Sequence, residues 1–302
     1  MRTARRRSGC LGLLAAAFVA FSVRAATPQP FDPVGADPAP DAAHPAQIVQ
    51  LSVPSHGAEL YGAYYRAAGA SAHATVLFLH GFPGFEQNED LAQVARRAGF
   101  NALIFHYRGA WGSTGSYSFT HCIEDVQAVL AYLRTPAHAQ RLGADPDRLV
   151  LVGHSVGGHL AGIVAAADPA VLGVAMISAA NRALEMKDRG WSAQMRAHFD
   201  AQLAPLRGTS GASLARELRM HARDWDLIEL APKWQGRAVL VVSSDDAFRK
   251  EAEAIGAAAQ AADPRHVTLL HLATDHSYSD ARVALSRALI GWLQGLPGAQ
   301  PR

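Results

Sequence analysis

From residue 47 onward, short and largely apolar runs alternate with segments in which apolar positions recur every three to four residues. The runs at 75–79, 102–105, 148–152, 171–177, 238–242 and 267–272 end in glycine or polar residues, as strands buried on both faces do. Helical period fills most intervals, at 90–98, 123–133, 156–167 and 248–262, and returns after the last run at 280–293. Strand and helix in this order predict a mostly parallel sheet with helices on both faces. Ahead of it, 47–53 and 58–66 are strand-like and flank Pro54-Ser55-His56-Gly57, which predicts an antiparallel hairpin.

One interval breaks the alternation. Residues 181–234 contain no convincing strand but carry amphipathic helical stretches at 193–203 and 213–221. Placed directly after a central strand, where ligands of such sheets bind, the segment reads as a helical cap inserted in a domain spanning 47–296. Residues 26–46 hold six prolines and few large apolar side chains, so they are expected to form a tether or extended arm.

Composition changes the picture mainly at the N-terminus. Arg2, Arg5, Arg6 and Arg7 precede an apolar run at 10–23, and Val23-Arg24-Ala25 offers small residues for cleavage, so residues 1–25 read as a secretory signal and the chain as exported to the periplasm or beyond. The run is too short to span a bilayer, and no stable membrane span is expected after cleavage. Of 302 residues, 49% are hydrophobic and 18% charged, enough apolar material for a full core without disulfide or metal. The leader takes five arginines and no acid, so the formal charge of +2 becomes −3 without it. No basic cluster survives to suggest a nucleic-acid partner. Cys122 then stands alone, in a helix-like run, as a buried small hydrophobe.

Candidate chemistry centres on Gly153-His154-Ser155-Val156-Gly157. With 18 serines and 26 glycines in 302 residues, a shuffled chain would hold about 0.13 such pentapeptides, so context must decide. Here the pentapeptide follows a strand and opens a helix rich in small residues, the setting that lifts a serine hydroxyl above a sheet on a strained turn. A serine needs a base, and the base needs an acid to hold its tautomer. His276 lies in the polar loop 273–277 between the last strand and the last helix, whereas His266 and His271 precede or belong to that strand. The acid is expected after the preceding strand, where Ser243-Ser244-Asp245-Asp246 offers two. Asp246 is preferred because it stands further beyond the apolar run, with room to turn toward the histidine. Asp275, beside His276, is on the wrong loop for that role. Backbone N–H groups of Val156 and Phe82, the latter within His80-Gly81-Phe82-Pro83-Gly84, are the expected oxyanion donors. Metal and nucleotide signatures (H-E-x-x-H, G-x-x-x-x-G-K, G-x-G-x-x-G) are absent, so no cofactor or metal is expected.

These motifs, with the loop Tyr107-Arg108-Gly109-Ala110-Trp111-Gly112-Ser113-Thr114-Gly115, make the chain resemble an α/β-hydrolase from Gln47 to about Leu296. It is similar to the serine-hydrolase branch of esterases and of prolyl-oligopeptidase-like or aminopeptidase-like enzymes. The resemblance implies an eight-stranded, mostly parallel sheet whose first strands are antiparallel. Asp245-Asp246 departs from a lone acid, and the cap matches no motif.

The expected reaction is hydrolysis of a small-molecule carboxylic ester through an acyl-enzyme, with Ser155, Asp246 and His276 as the triad. Phe82, Phe85, Trp111, Trp191 and Trp225 are candidates to line an acyl pocket. A peptidase acting on short peptides is the alternative, with Glu185 or Asp188 available for a substrate amine. A non-catalytic binding protein of the same fold would show a broken triad, and none of the three positions is empty here.

Overall fold

The computed structural model describes residues 31–182 and 193–298. The expected signal segment, residues 26–30 of the arm, and Glu185, Asp188 and Trp191 lie outside them. Among the described residues eight strands form one sheet: β1 (Gln47–Ser55), β2 (Ala58–Arg66), β3 (His73–Leu79), β4 (Asn101–Phe105), β5 (Ala144–His154), β6 (Gly173–Ile177), β7 (Ala238–Ser244) and β8 (Val267–Leu272). Their order is β1-β2-β4-β3-β5-β6-β7-β8. β2 runs antiparallel to both β1 and β4, and the remaining pairs are parallel. The β1–β2 hairpin closes through His56 (φ 47°) and Gly57 (φ 82°), two successive left-handed residues whose twist matches that of the strands they join.

The central strands are apolar at successive positions because each face of the sheet needs its own set. On one face Leu77, Leu151, Met176 and Val241 pack against α2 (Phe119–Arg134), α4 (Val156–Ala167) and α8 (Arg249–Ala262). On the other, Phe78, Val152, Ile177 and Leu240 meet α1 (Glu89–Arg97) and α9 (Arg282–Gln294). The period of two along a strand therefore appears as two interleaved apolar sets rather than as apolar-polar alternation.

Three local differences from the sequence reading have physical causes. β5 begins at Ala144, earlier than the apolar run, because Arg148 bonds the Asp145 carboxylate (2.7 Å) and the Ala72 carbonyl (2.8 Å) and holds the polar entry of the strand in place. A short helix, α3 (Pro136–Leu142), escapes periodicity at seven residues but carries proline in its first turn and left-handed Gly143 at its end. Residues 32–46, expected as a tether or extended arm, are held along the domain by contacts that periodicity does not show: Arg97 donates to the Pro33 carbonyl (2.7 Å), Arg287 pairs with Asp32 (3.0 Å), and Gly69 N–H donates to His44 (3.0 Å). Prolines fix φ yet keep carbonyl oxygens that accept such bonds.

The described part of the 181–234 segment supplies α5 (Ala193–Asp200), α6 (Gly211–Met220), α7 (Leu227–Leu230) and a 3-10 turn (Ala231–Trp234). α6 starts two residues ahead of the apolar period because the Ser210 and Ser213 side chains cap it reciprocally. The segment is tied to the loop after β4, where Arg207 N–H donates to Gly109 O (2.7 Å) and Tyr117 N–H to Arg207 O (2.9 Å).

Candidate active site

Four loops leave the carboxyl ends of parallel strands and converge. β5 passes into α4 through Ser155, whose backbone at φ 57°, ψ −121° is a conformation that L-residues rarely take. The turn survives because its neighbours over-determine it. Ser155 N–H donates to Ile177 O (2.9 Å), while Ser155 O accepts from His159 N–H (3.2 Å) and Ala180 N–H (3.3 Å). A Cβ on Gly157 would stand 1.9 Å from Leu79 O, so only glycine lets the helix start pass over β3 this closely.

The loop after β3 comes up beside the serine, since a Cβ on Gly81 would lie 3.0 Å from that of Ser155. Its shape is fixed from behind. His80 Nδ1 donates to Gly81 O (2.8 Å), Tyr107 Oη donates to His80 O (3.2 Å) and Trp111 Nε1 donates to Pro83 O (2.7 Å). The Phe82–Pro83 peptide is cis. Burial lowers His80 to about 4, so its ring is neutral and its tautomer is set by that carbonyl. Among the described residues, neither the Phe82 nor the Val156 N–H is engaged by a backbone or side-chain acceptor.

His276 occupies the loop between β8 and α9, and its Nδ1 lies 2.6 Å from Asp246 Oδ2. The Asp246 side chain is 4% exposed, that of His276 34%, so the aspartate is enclosed and the histidine faces the cleft. Burial pushes the Asp246 carboxyl up, but the His276 ring and the Ser178 and Ser244 hydroxyls outweigh it and hold the group below the ordinary carboxylate value. Asp245 turns the other way, toward Arg249 (2.6 Å) and His271 (3.4 Å). Asp275 caps its own loop by accepting from Ser277 N–H (3.1 Å) and Ser279 N–H (2.9 Å). His266 pairs with Asp263 (2.7 Å).

Ser155, His276, Phe82, Phe85 and Gln202 line one cleft of about 210 Å³. A larger hollow of about 350 Å³, between α8 and β8, contains none of the sequence-predicted site residues. Of the expected pocket aromatics, Phe82 and Phe85 reach the cleft. Trp111 instead pins the loop from behind, and Trp225 stacks on His221 with ring centroids 4.1 Å apart. Phe82 is backed by Phe199 of α5, edge-on at 5.2 Å. Cys122 is fully buried.

Sequence reasoning overlooked several contributors. His154, within the pentapeptide, donates from Nε2 to His276 O (2.7 Å) and ties the two loops together; burial, then the nearby His276, lowers it to about 3. Ser178 and Ser244 stand behind Asp246. Ser244, two residues before Asp246, was a visible signal, whereas nothing marked Ser178, which follows an ordinary buried strand. Among the described residues no group of three or more His, Cys, Asp or Glu is arranged to hold a metal, and no helix is long and apolar enough to cross a membrane.

A family model described as alpha/beta hydrolase fold matches residues 77–279. The Salmonella typhimurium protein YfhR is 32% identical over 90 residues, a match spanning 30% of this chain and 29% of that protein. EstE1, a thermophilic carboxylesterase from a metagenomic library, superposes with a TM-score of 0.63 at 21% identity, over 84% of this chain and 91% of that one. Est1E from Butyrivibrio proteoclasticus, solved with ferulic acid bound, gives 0.66 at 16% identity over 82% and 98%. A Pyrobaculum calidifontis esterase gives 0.59 at 18% over 82% and 84%. At these identities the likeness to the solved structures is one of fold.

Proposed function

This chain belongs to the α/β-hydrolase fold family, and from that premise we propose that it hydrolyses carboxylic esters of small molecules through an acyl-enzyme on Ser155. The observation that carries the reading is the 2.6 Å contact of His276 Nδ1 with Asp246 Oδ2, on the same cleft as the strained serine. A carboxylate on Nδ1 keeps that nitrogen protonated, leaving Nε2 as the free base. Ser155 Oγ attacks the ester carbonyl carbon while His276 Nε2 takes its proton. The carbonyl electrons move onto oxygen, where the Phe82 and Val156 N–H groups receive the charge; each such donor contributes roughly 10² to 10³ in turnover. The tetrahedral adduct collapses, His276 returns the proton to the departing alcohol, and the acyl group stays on Ser155. Water, deprotonated by His276, repeats the sequence and releases the acid.

The esterase names of the structural neighbours support an ester over an amide. The cleft does hold one acid, Glu86, but its carboxylate already accepts from Asn88 N–H (2.7 Å) and faces Arg282 (4.0 Å), so it is not set up to receive a substrate amine. Export is proposed from the character of residues 1–25 alone. A fluorophosphonate probe is expected to label the wild type and not Ser155→Ala, and a short p-nitrophenyl ester to turn over far faster than an aminoacyl-p-nitroanilide. Labelling that survives the substitution removes Ser155 from the mechanism, and a preference for the anilide makes the protein a peptidase.

A further inference from the structure

The turn that carries Ser155 and the loop that carries His276 leave different strands, and one side chain joins them. His154 ends β5 and immediately precedes the serine. Its Nε2 donates to His276 O at 2.7 Å, across 122 positions of sequence. Among the described residues no other hydrogen bond links residues 153–159 to the loop 273–281. The other bonds of that loop include Asp275 accepting from Ser277 and Ser279 N–H, Arg282 donating to Ser277 O (3.2 Å), and Thr274 O accepting from Asp245 N–H (2.9 Å). They shape the loop or tie it to its neighbours, and none reaches the turn of Ser155.

We propose that His154 is a positioning residue for the base: by holding the main chain of His276 at its carbonyl, it sets where His276 Nε2 stands relative to Ser155 Oγ. The inference rests on the Ser155-His276-Asp246 reading above. His276 is then held at two atoms from two strands. Asp246, just beyond β7, takes the ring at Nδ1 (2.6 Å), and His154, at the end of β5, takes the backbone from which the ring hangs. The first contact alone leaves the ring free to swing about Nδ1, whereas the two together fix Nε2. Because His154 and Ser155 are consecutive, any shift of the turn moves nucleophile and tether together, and the base follows. Attack on a carbonyl needs such a fixed separation, since a misplacement of about 1 Å can cost about 10²-fold in rate.

The chemistry of the ring suits this task better than it suits packing. A carbonyl only accepts, so the His154 proton is on Nε2. Nδ1 is left as an acceptor that is buried with no hydrogen-bond partner. An unpaired buried acceptor is unfavourable, so an apolar side chain would serve better if filling space were the whole role. Burial, then His276, lowers His154 to about 3, so it stays neutral while His276, its ring centroid 4.6 Å away, takes up the serine proton. His154 therefore anchors the base without opposing the positive charge that the base acquires.

The test is the steady-state kinetics of wild type, His154→Leu and His154→Gln on a p-nitrophenyl ester, with fluorophosphonate labelling rates and thermal midpoints in parallel. In His154→Leu, kcat and kcat/KM are expected to fall together by about 10- to 100-fold, with KM within about twofold, as when an interaction made in the transition state is lost. Labelling slows with them, while the midpoint stays level because the unpaired nitrogen leaves with the donor. Glutamine, whose amide N–H can reach the same carbonyl, is expected to return kcat to within about fivefold of wild type. A His154→Leu enzyme with wild-type kcat, or a glutamine variant no better than the leucine one, would reduce His154 to packing and overturn the proposal. Should His154→Leu fail to fold, His154→Asn, whose amide is too short to reach the carbonyl, takes its place. Labelling confined to Ser155 together with an unchanged kcat in His154→Leu defeats only this inference. Labelling that persists in Ser155→Ala defeats the triad beneath it.

Discussion

Two sets of serine, histidine and aspartate in this molecule are built on neighbouring acids, Asp246 and Asp245. In one, Asp246 holds His276 at 2.6 Å on the cleft that contains Ser155. In the other, Ser243 Oγ lies 2.9 Å from His271 Nδ1, and His271 Nε2 lies 3.4 Å from Asp245. The chemical groups are the same. Ser243 and His271, however, are register partners on adjacent strands, with backbones committed to the ladder, and Asp245 is half exposed and shared with Arg249. Ser155 stands on a left-handed turn at a helix start, opposite a loop with an unengaged amide, and Asp246 is enclosed. What sets the proposed site apart is its backbone, which lifts the serine off the sheet next to N–H groups that no protein acceptor engages. Side-chain identity and proximity do not suffice.

The sharpest way to break this comparison is to remove each serine. Ser155→Ala is expected to lower ester turnover by about 10⁴-fold or more, whereas Ser243→Ala keeps it within about twofold. Equal losses in steady-state rates would mean that the second set takes part in the chemistry. The acids come next. Asp246→Asn is expected to cost about 10³- to 10⁴-fold in kcat by leaving His276 in the wrong tautomer, and Asp245→Asn to cost less than about threefold. The reverse order would hand the role to Asp245.

The smallest effect is on stability. The Asp246 carboxyl sits below its unfolded value, so its ionisation stabilises the fold above that value, and this contribution is lost as pH falls through the folded one. The difference in unfolding midpoint between wild type and Asp246→Asn is therefore expected to shrink as pH falls below the unfolded carboxyl value of about 4. A difference that stays constant over that window would show that His276 and the serines give this carboxylate no net support.

Much of this was legible in the chain because it is local. The β3, β4, β5 and β7 runs announce themselves by continuous apolar character, and the hairpin by His56-Gly57. Ser155 is marked by a strand before it and small residues after it, since a close approach of backbones demands them. In the 181–234 segment α5 and α6 were visible as period, within two or three residues at their ends, because capping by Ser210 does not enter an apolar count, whereas the four-residue α7 and the turn after it were not. The course of residues 32–46 was not visible: the bonds that pin Pro33 and His44 come from Arg97 and Gly69, and nothing in a proline-rich stretch indicates distant donors.

Taken alone, then, the sequence determined the alternation of elements, the elbow, and the order of serine, acid and base along the chain, all properties of contiguous residues and their periods. Only the tertiary structure decided which of two adjacent carboxylates meets His276, because neighbouring side chains on one backbone diverge and a loop's path sets which of them turns inward. It alone brought His154 to the carbonyl of His276 and Ser178 to the hydroxyl of Tyr278, 100 residues away. Such pairings depend on where strand ends converge in space, and a one-dimensional pattern carries no record of that distance.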